Sequence, residues 1–447
     1  MGARVSQRVG CGALLVAFAT GTRFPVEWAP FLPPAMRVTH FTSHAETCAR
    51  ACAIALGFSI PISVVLDNVL LALILACSMV AGRYQEKLRR IACNQVALAA
   101  FALFALLVAG LAYGTREPGD GLRYLGKYVD LAFVPIFLTL FDSERVRRLA
   151  WHALGAGIAL TLLLSFAIWL GLAPEHWALT GDRRNPVVFK QYLTQGLMMA
   201  FGALMFAQLA RTTPSRPQRY GWSLLAALAA VNVILLTPGR TGQLILAALV
   251  IHFVHSLWRW RGTFVATAGI AIALCALVLG TTGTGARFER AINELKVWQP
   301  AKAVTTDSSI GNRLEFYHSS LEIAREHPLI GTGTGSFPKV YADHVAGTAM
   351  TPTTNPHNEY LNIVIQLGAV GLLTMLYLFH CAWRLAPALP TSLERGLARG
   401  LVITFVVGSL FNSLLMDHAE GLLFAWATGL LFAGLNSPPA TTAERAA

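Results

Sequence analysis

His357 stands where a Pro- and Thr-rich stretch, TPTTNPHNEYL, runs into a long apolar segment. An imidazole with an ordinary pKa near ~6.5 accepts a proton around neutral pH. Cations border other apolar runs. Arg183, Arg184 and Lys190 lie in TGDRRNPVVFK, Arg240 in LLTPGRTGQL, and Arg313 opens NRLEFYHSSLEIAREHP. Arg123 and Lys127 precede another run, and MDHAEG holds Asp417, His418 and Glu420. A guanidinium grips phosphate oxygens with a planar fork. One base among several arginines suits chemistry at a polyanionic lipid headgroup. There the cations neutralise charge developing on a diphosphate as it leaves. A divalent metal is the other way to do this, but the sequence has no HExxH, no DxD and no paired carboxylates at helical spacing in the long loop. Each cation taken alone also has a plainer reading, a side chain snorkelling to the bilayer surface. That reading fits Arg240 poorly, since it sits in a tight turn beside Pro238 and Gly239 with no charge near it in sequence. His327, His344 and His418 are read as structural.

The elements that must position these groups are membrane helices. The 447 residues are 55% hydrophobic and 13% charged, with a mean hydropathy of +0.55. Apolar windows of ~20 residues recur, long enough to cross a hydrocarbon core as helices. They lack the alternation of outer-membrane strands. Twelve spans are expected, near 45–62, 65–82, 93–113, 122–142, 148–172, 187–208, 219–236, 240–258, 263–280, 359–383, 396–415 and 420–436. Short loops at one end carry 15 Lys and Arg, and those at the other end carry 5. The positive-inside rule puts the basic end and both termini in the cytoplasm. It also accounts for most of the net charge of +12 without a nucleic-acid partner.

The domain order is therefore a cytoplasmic or interfacial lead-in (1–44), nine spans (45–280), an external helical loop domain (281–358), three spans (359–436) and a cytoplasmic tail (437–447). Within the loop domain, 285–298 and 312–328 have helical periodicity, and Pro328 ends the second helix. LIGTGTGSF follows. It lacks the lysine, preceding strand and βαβ context of a nucleotide loop, so a connection between helices is the better reading. None of the seven cysteines lies in this domain and no CxxC occurs, which argues against a disulfide framework or a zinc site.

The stretch from Arg313 through PLIGTG, HNEYL and GAVGL resembles the bacterial O-antigen ligase/polymerase superfamily, most closely its O-antigen ligase branch. The likeness extends over most of the chain from about residue 45. An Arg in a small turn before a span is a second mark of the family. It usually follows Ser, and here Gly239 precedes Arg240. The resemblance implies an all-α, GT-C-like membrane glycosyltransferase that is inverting and needs no metal or other cofactor. Its donor would be O-antigen on undecaprenyl diphosphate. Its acceptor would be a sugar hydroxyl of lipid A–core, met at the periplasmic face of the inner membrane. Carried onto this chain, His357 would be the general base. Arg240, Arg313 and Arg184, with Arg183 and Lys190, would hold the diphosphate. Asp417, Asn358, Tyr360 and Lys127 would orient these groups or touch the acceptor.

Related activities share the donor chemistry, namely O-antigen polymerase and protein O-oligosaccharyltransferase. A transporter would also use many spans, but it usually shows internal repeats with polar breaks at mid-membrane. Neither is evident here.

Overall fold

The computed structural model describes residues 35–237, 239–280, 293, 309–348 and 350–436. The expected helix at 285–298 and most of the lead-in lie outside them. Among the described residues the chain is all-helical, with no strand. In order come α1 (Ala35–Ser59), α2 (Val64–Val80), α3 (Tyr84–Ala92), α4 (Gln95–Ala109), α5 (Asp120–Lys127), α6 (Asp130–Leu140) and α7 (Glu144–Leu170). After these come α8 (Tyr192–Thr212), α9 (Arg216–Val231), α10 (Arg240–Gly280), α11 (Ser309–Glu326), α12 (Phe337–His344), α13 (Glu359–Leu385), α14 (Ser392–Gly408) and α15 (His418–Ala433).

A helix overlaps each expected span, but 187–191 lie outside α8 and 409–415 lie outside α14. Six are long and apolar enough to cross a membrane, or seven if α2 and α3, bent by 114°, count as one. The shorter α14 and α15 have 17 and 16 residues. The expected crossing at 122–142 is divided into α5 and α6. The two crossings expected at 240–258 and 263–280 form one run, α10, broken at Arg259, whose φ of 54° is not helical. Helix α1 starts ten residues before the expected boundary of 45.

Local signals explain several ends. Ser143 caps α7 through the Val146 amide. Thr391 and Glu394 form a reciprocal capping box on α14. The same Glu394 accepts from Arg147 Nε at 2.6 Å inside the bundle, so one carboxylate caps α14 and ties it to α7.

The core is centred on α15. It carries no charge after Glu420, and every residue from Ala419 to Ala433 is buried. A helix apolar all round belongs inside. Trp426 on α15 meets Trp151 and Phe141 edge to face, with centroids 5.6 and 5.7 Å apart. Its Nε1 donates to the Ala53 carbonyl at 2.8 Å. Outer helices expose large apolar side chains instead, such as Leu163, Trp260 and Phe264. That is the surface a helix presents to lipid.

One span is interrupted. Helix α13 breaks at Gly368 (φ 62°), and the segment 328–333 enters the break. Thr332 and Gly333 amides donate to the Ile365 and Gln366 carbonyls at 2.7 and 2.9 Å. The Ala369 and Val370 amides donate to Pro328 and Leu329 carbonyls at 2.8 and 3.2 Å. The groups freed by the break are thus satisfied by protein, as broken backbone in a membrane requires. This gives the glycine-rich LIGTGTGSF its role. Its residues 331–337 are buried beside the break, while Leu329 and Ile330 stay exposed.

Candidate functional site

His357 is half-buried in the turn just before α13. Its φ is 52°, one of three positive values at non-glycine residues among those described. L-residues avoid this region, so neighbours must hold it. The His357 amide donates to Asn355 Oδ1 at 2.8 Å. Its carbonyl accepts from the Tyr317 hydroxyl at 3.2 Å, and that hydroxyl also reaches the Leu410 carbonyl at 2.8 Å. Phe316 stacks on the imidazole with centroids 6.2 Å apart. Burial pushes the imidazole pKa below its ordinary value, and the charge of Arg313 adds to the effect.

Asn358 caps α13. Its Oδ1 accepts from the Leu361 amide at 3.1 Å, and its Nδ2 donates to the Leu410 carbonyl at 3.1 Å. Tyr360 donates to the Val406 carbonyl at 2.9 Å. The segment joining α14 to α15 is the common neighbour. Ser413 donates to Asn355 Oδ1 at 2.7 Å, and Asn412 donates to Thr241 Oγ1 at 3.0 Å. Thr241 is the residue after Arg240, which stands exposed at the start of α10. Arg313 and Tyr317 are one turn apart on α11. Residues 409–417 therefore bond the His357 turn, Tyr317 one turn from Arg313, and Thr241 next to Arg240.

Of the remaining expected cations, Lys127 acts on Asp417 in the same segment, and Arg183, Arg184 and Lys190 lie elsewhere. Lys190 precedes α8, whereas the sequence places it a turn inside the span. It is buried, with Nζ 3.5 Å from Asp67 Oδ2. Burial lowers its pKa, and the Asp67 charge acts in the opposite sense. The same Asp67 oxygen lies 3.8 Å from His418 Nε2, and Asp130 Oδ2 lies 3.9 Å from His418 Nδ1. Lys190 thus belongs to a buried charge cluster at the first turns of α2, α6 and α15. Arg183 folds back, its Nε donating to the Trp169 carbonyl at 2.7 Å near the end of α7. Arg184 is exposed, its amide held by Asp182 at 2.8 Å. Lys127 lies 5.0 Å from the centre of the Tyr124 ring. Burial raises the pKa of Asp417, and the charge of Lys127 offsets part of the rise. Among the described residues no contact joins Arg183 or Arg184 to the His357 turn.

Sequence reasoning missed the groups that build this turn: Tyr128, Tyr317, Asn355, Glu359, Asn362, Gln366 and Ser413. Glu359, Asn362 and Gln366 carry a visible signal, three polar residues at i, i+3 and i+7 on one face of an apolar helix. Among the described residues no group of three or more His, Cys, Asp or Glu is arranged to hold a metal ion.

A membrane protein of apolar helices, with a half-buried histidine beside arginine at one end of its bundle, is the class these features define. Residues 224–376 match the family model described as O-antigen ligase, and the match supports membership of the O-antigen ligase/polymerase superfamily. The matched stretch contains Arg240, Arg313, His357, Asn358 and Tyr360. No curated protein matches the chain.

Proposed function

We propose that this chain is an O-antigen ligase of the inner membrane. It crosses the bilayer twelve times, keeps both termini in the cytoplasm and opens its site to the periplasm. It moves O-antigen from undecaprenyl diphosphate to a sugar hydroxyl of lipid A–core. His357 takes the hydroxyl proton as the oxygen attacks the anomeric carbon. The bond from that carbon to the diphosphate breaks, and the diphosphate leaves with the electron pair. A single displacement of this kind inverts the anomeric centre. Arg313 and Arg240 neutralise the leaving charge, as preorganised cations do in place of a metal. Arg184 meets the headgroup from the 180–187 loop. Lys190 and Arg183 act at one remove, through the ion cluster and the end of α7.

The observation that supports this reading is that one segment, 409–417, bonds Tyr317 one turn from Arg313, Asn358 next to His357 and Thr241 next to Arg240, all three within the stretch that matches the O-antigen ligase family. The test is transfer by purified protein from undecaprenyl-diphosphate-linked glycan, with and without lipid A–core, in the presence and absence of EDTA. Glycan is expected on lipid A–core in both arms with acceptor. Lengthening of the undecaprenyl-linked glycan without lipid A–core would make the protein a polymerase. Loss of transfer with EDTA would overturn the role given to the arginines.

A further inference from the structure

Four side chains that the transfer chemistry leaves unused form a chain beneath His357. The Gly335 amide donates to Gln366 Oε1 at 2.8 Å. Gln366 Nε2 donates to Asn362 Oδ1 at 3.0 Å, and Asn362 Nδ2 donates to the Tyr128 hydroxyl at 2.7 Å. Tyr128 donates to Glu359 Oε1 at 2.7 Å. The other oxygen, Oε2, accepts from the Leu415 amide at 2.8 Å. Glu359, Tyr128, Asn362 and Gln366 are all 0% exposed.

Every donor in this chain points the same way, and the chain ends on a carboxylate. Such a chain needs a terminal group that only accepts, with two oxygens for two donors on different elements. Glu359 provides that. Glutamine has the same shape, but its amide nitrogen would face either the Leu415 amide or the Tyr128 hydroxyl as a second donor. A buried donor left without an acceptor costs about 1–3 kcal/mol. The chain joins the glycine-rich plug, α13, the α5–α6 junction and the 409–417 segment. The α5–α6 junction, α13 and that segment meet at Glu359, two positions from His357, and the plug joins them through Gln366. The Glu359 amide also donates to the Ser409 carbonyl at 2.9 Å, so backbone and side chain hold the same segment.

We propose that Glu359 is a positioning residue: as the end acceptor of the Gly335–Gln366–Asn362–Tyr128 chain, it locks the left-handed turn that sets His357 beside Arg313. This rests on the transfer reading above. It assigns Glu359 no contact with substrate.

The test compares kcat and the donor KM of Glu359→Gln, Tyr128→Phe and the double variant, with His357→Ala run alongside. A turn loosened by about 1 Å slows a positioned proton transfer by roughly 10- to 100-fold. Each single variant is expected to lose about that much kcat while the donor KM stays within about twofold, because diphosphate binding is untouched. The double variant should be no slower than the slower single, since both remove one shared bond. Tyr128→Phe deletes one oxygen and keeps the ring, so it reports even if Glu359→Gln is not recovered folded. Wild-type kcat in Tyr128→Phe, or a rise in KM at unchanged kcat, would overturn the proposal while His357→Ala remained inactive. Full activity in His357→Ala would instead remove the catalytic reading, and this proposal with it.

Discussion

Burial and Arg313 act on the His357 ring in the same direction. Both disfavour the imidazolium, so the pKa falls below the ordinary value of about 6.5. A general base works in its neutral form, and a lowered pKa keeps it neutral at pH 7. The acid limb of kcat against pH is therefore expected below pH 6.5, with activity falling as pH drops through the folded value. Replacing Arg313 by Gln removes a like charge. The pKa of His357 then rises, and the midpoint of the limb moves to higher pH. Transfer by Arg313→Gln is also slower, but the midpoint is read from the shape of the profile. A wild-type midpoint above pH 7, or one that ignores the Arg313 substitution, would contradict the assignment of His357 as base. The left-handed backbone at this residue belongs to the same scale. Its clamp is made of Asn355 in the same turn, Tyr317 on α11 and the Glu359 chain, so the local cost of that conformation is met by its neighbours.

Among the elements, the broken α13 and its plug are the most constrained pair. Gly333 has φ 93°, and a Cβ there would lie 2.2 Å from the Tyr113 carbonyl oxygen. A Cβ on Gly368 would lie 2.2 Å from the Leu329 carbonyl carbon. In both cases the obstacle is backbone, which cannot swing aside as a side chain would. Gly333→Ala is expected to destabilise the protein by more than ~1 kcal/mol, the usual penalty where φ is positive. A thermal melt in detergent would show a lowered midpoint, and an unchanged midpoint would contradict the plug.

The sequence makes the helices legible and leaves this pair hidden. Apolar windows report burial in lipid or protein one segment at a time, so α4, α7, α8 and α13 stand near their expected places. A glycine inside a span gives no comparable signal, because membrane helices tolerate it. Its partner here, residues 328–333, lies some 35 positions away, and no local rule links the two. The site divides in the same manner. His357, Arg313 and Arg240 could be picked out because charge at the edge of an apolar run is conspicuous. Tyr128 could not, since a polar side chain on a buried face announces no partner. Lys190 shows the converse failure. Its charge is conspicuous in sequence, yet in the fold Asp67 shares it.

At the scale of the whole molecule, function depends on which end of the bundle faces out. Lipid-linked glycans and lipid A–core present their sugars to the periplasm, so the proposed function requires the end bearing His357 to open there. The loop charges argue for that orientation by the positive-inside rule, and the helix alternation carries it around the bundle. The connection between α7 and α8 lies at the His357 end, and the turn before α9 lies at the opposite one. Glu175 is exposed in the first, and Gln218 is exposed next to the second, in the first turn of α9. Single cysteines at these two positions, in a background without the native cysteines, separate the orientations. Glu175→Cys is expected to react with a membrane-impermeant thiol reagent once the outer membrane is permeabilised and the inner membrane is intact. Gln218→Cys should react only after the inner membrane is broken. The reverse pattern would put His357 in the cytoplasm, away from the proposed substrates, and the ligase reading would fail whatever the geometry of its turn. Reaction of both before lysis would mean that α8, the one helix between these two positions, does not cross. The total count of crossings rests also on residues 122–142, which are divided into α5 and α6. Helix α6 has only 11 residues, about 16 Å of rise at 1.5 Å per residue, against the ~30 Å of a hydrocarbon core. Its crossing depends on α5 continuing it through the Tyr128–Val129 step, so the residue that anchors the Glu359 chain also sits at the joint on which the topology turns.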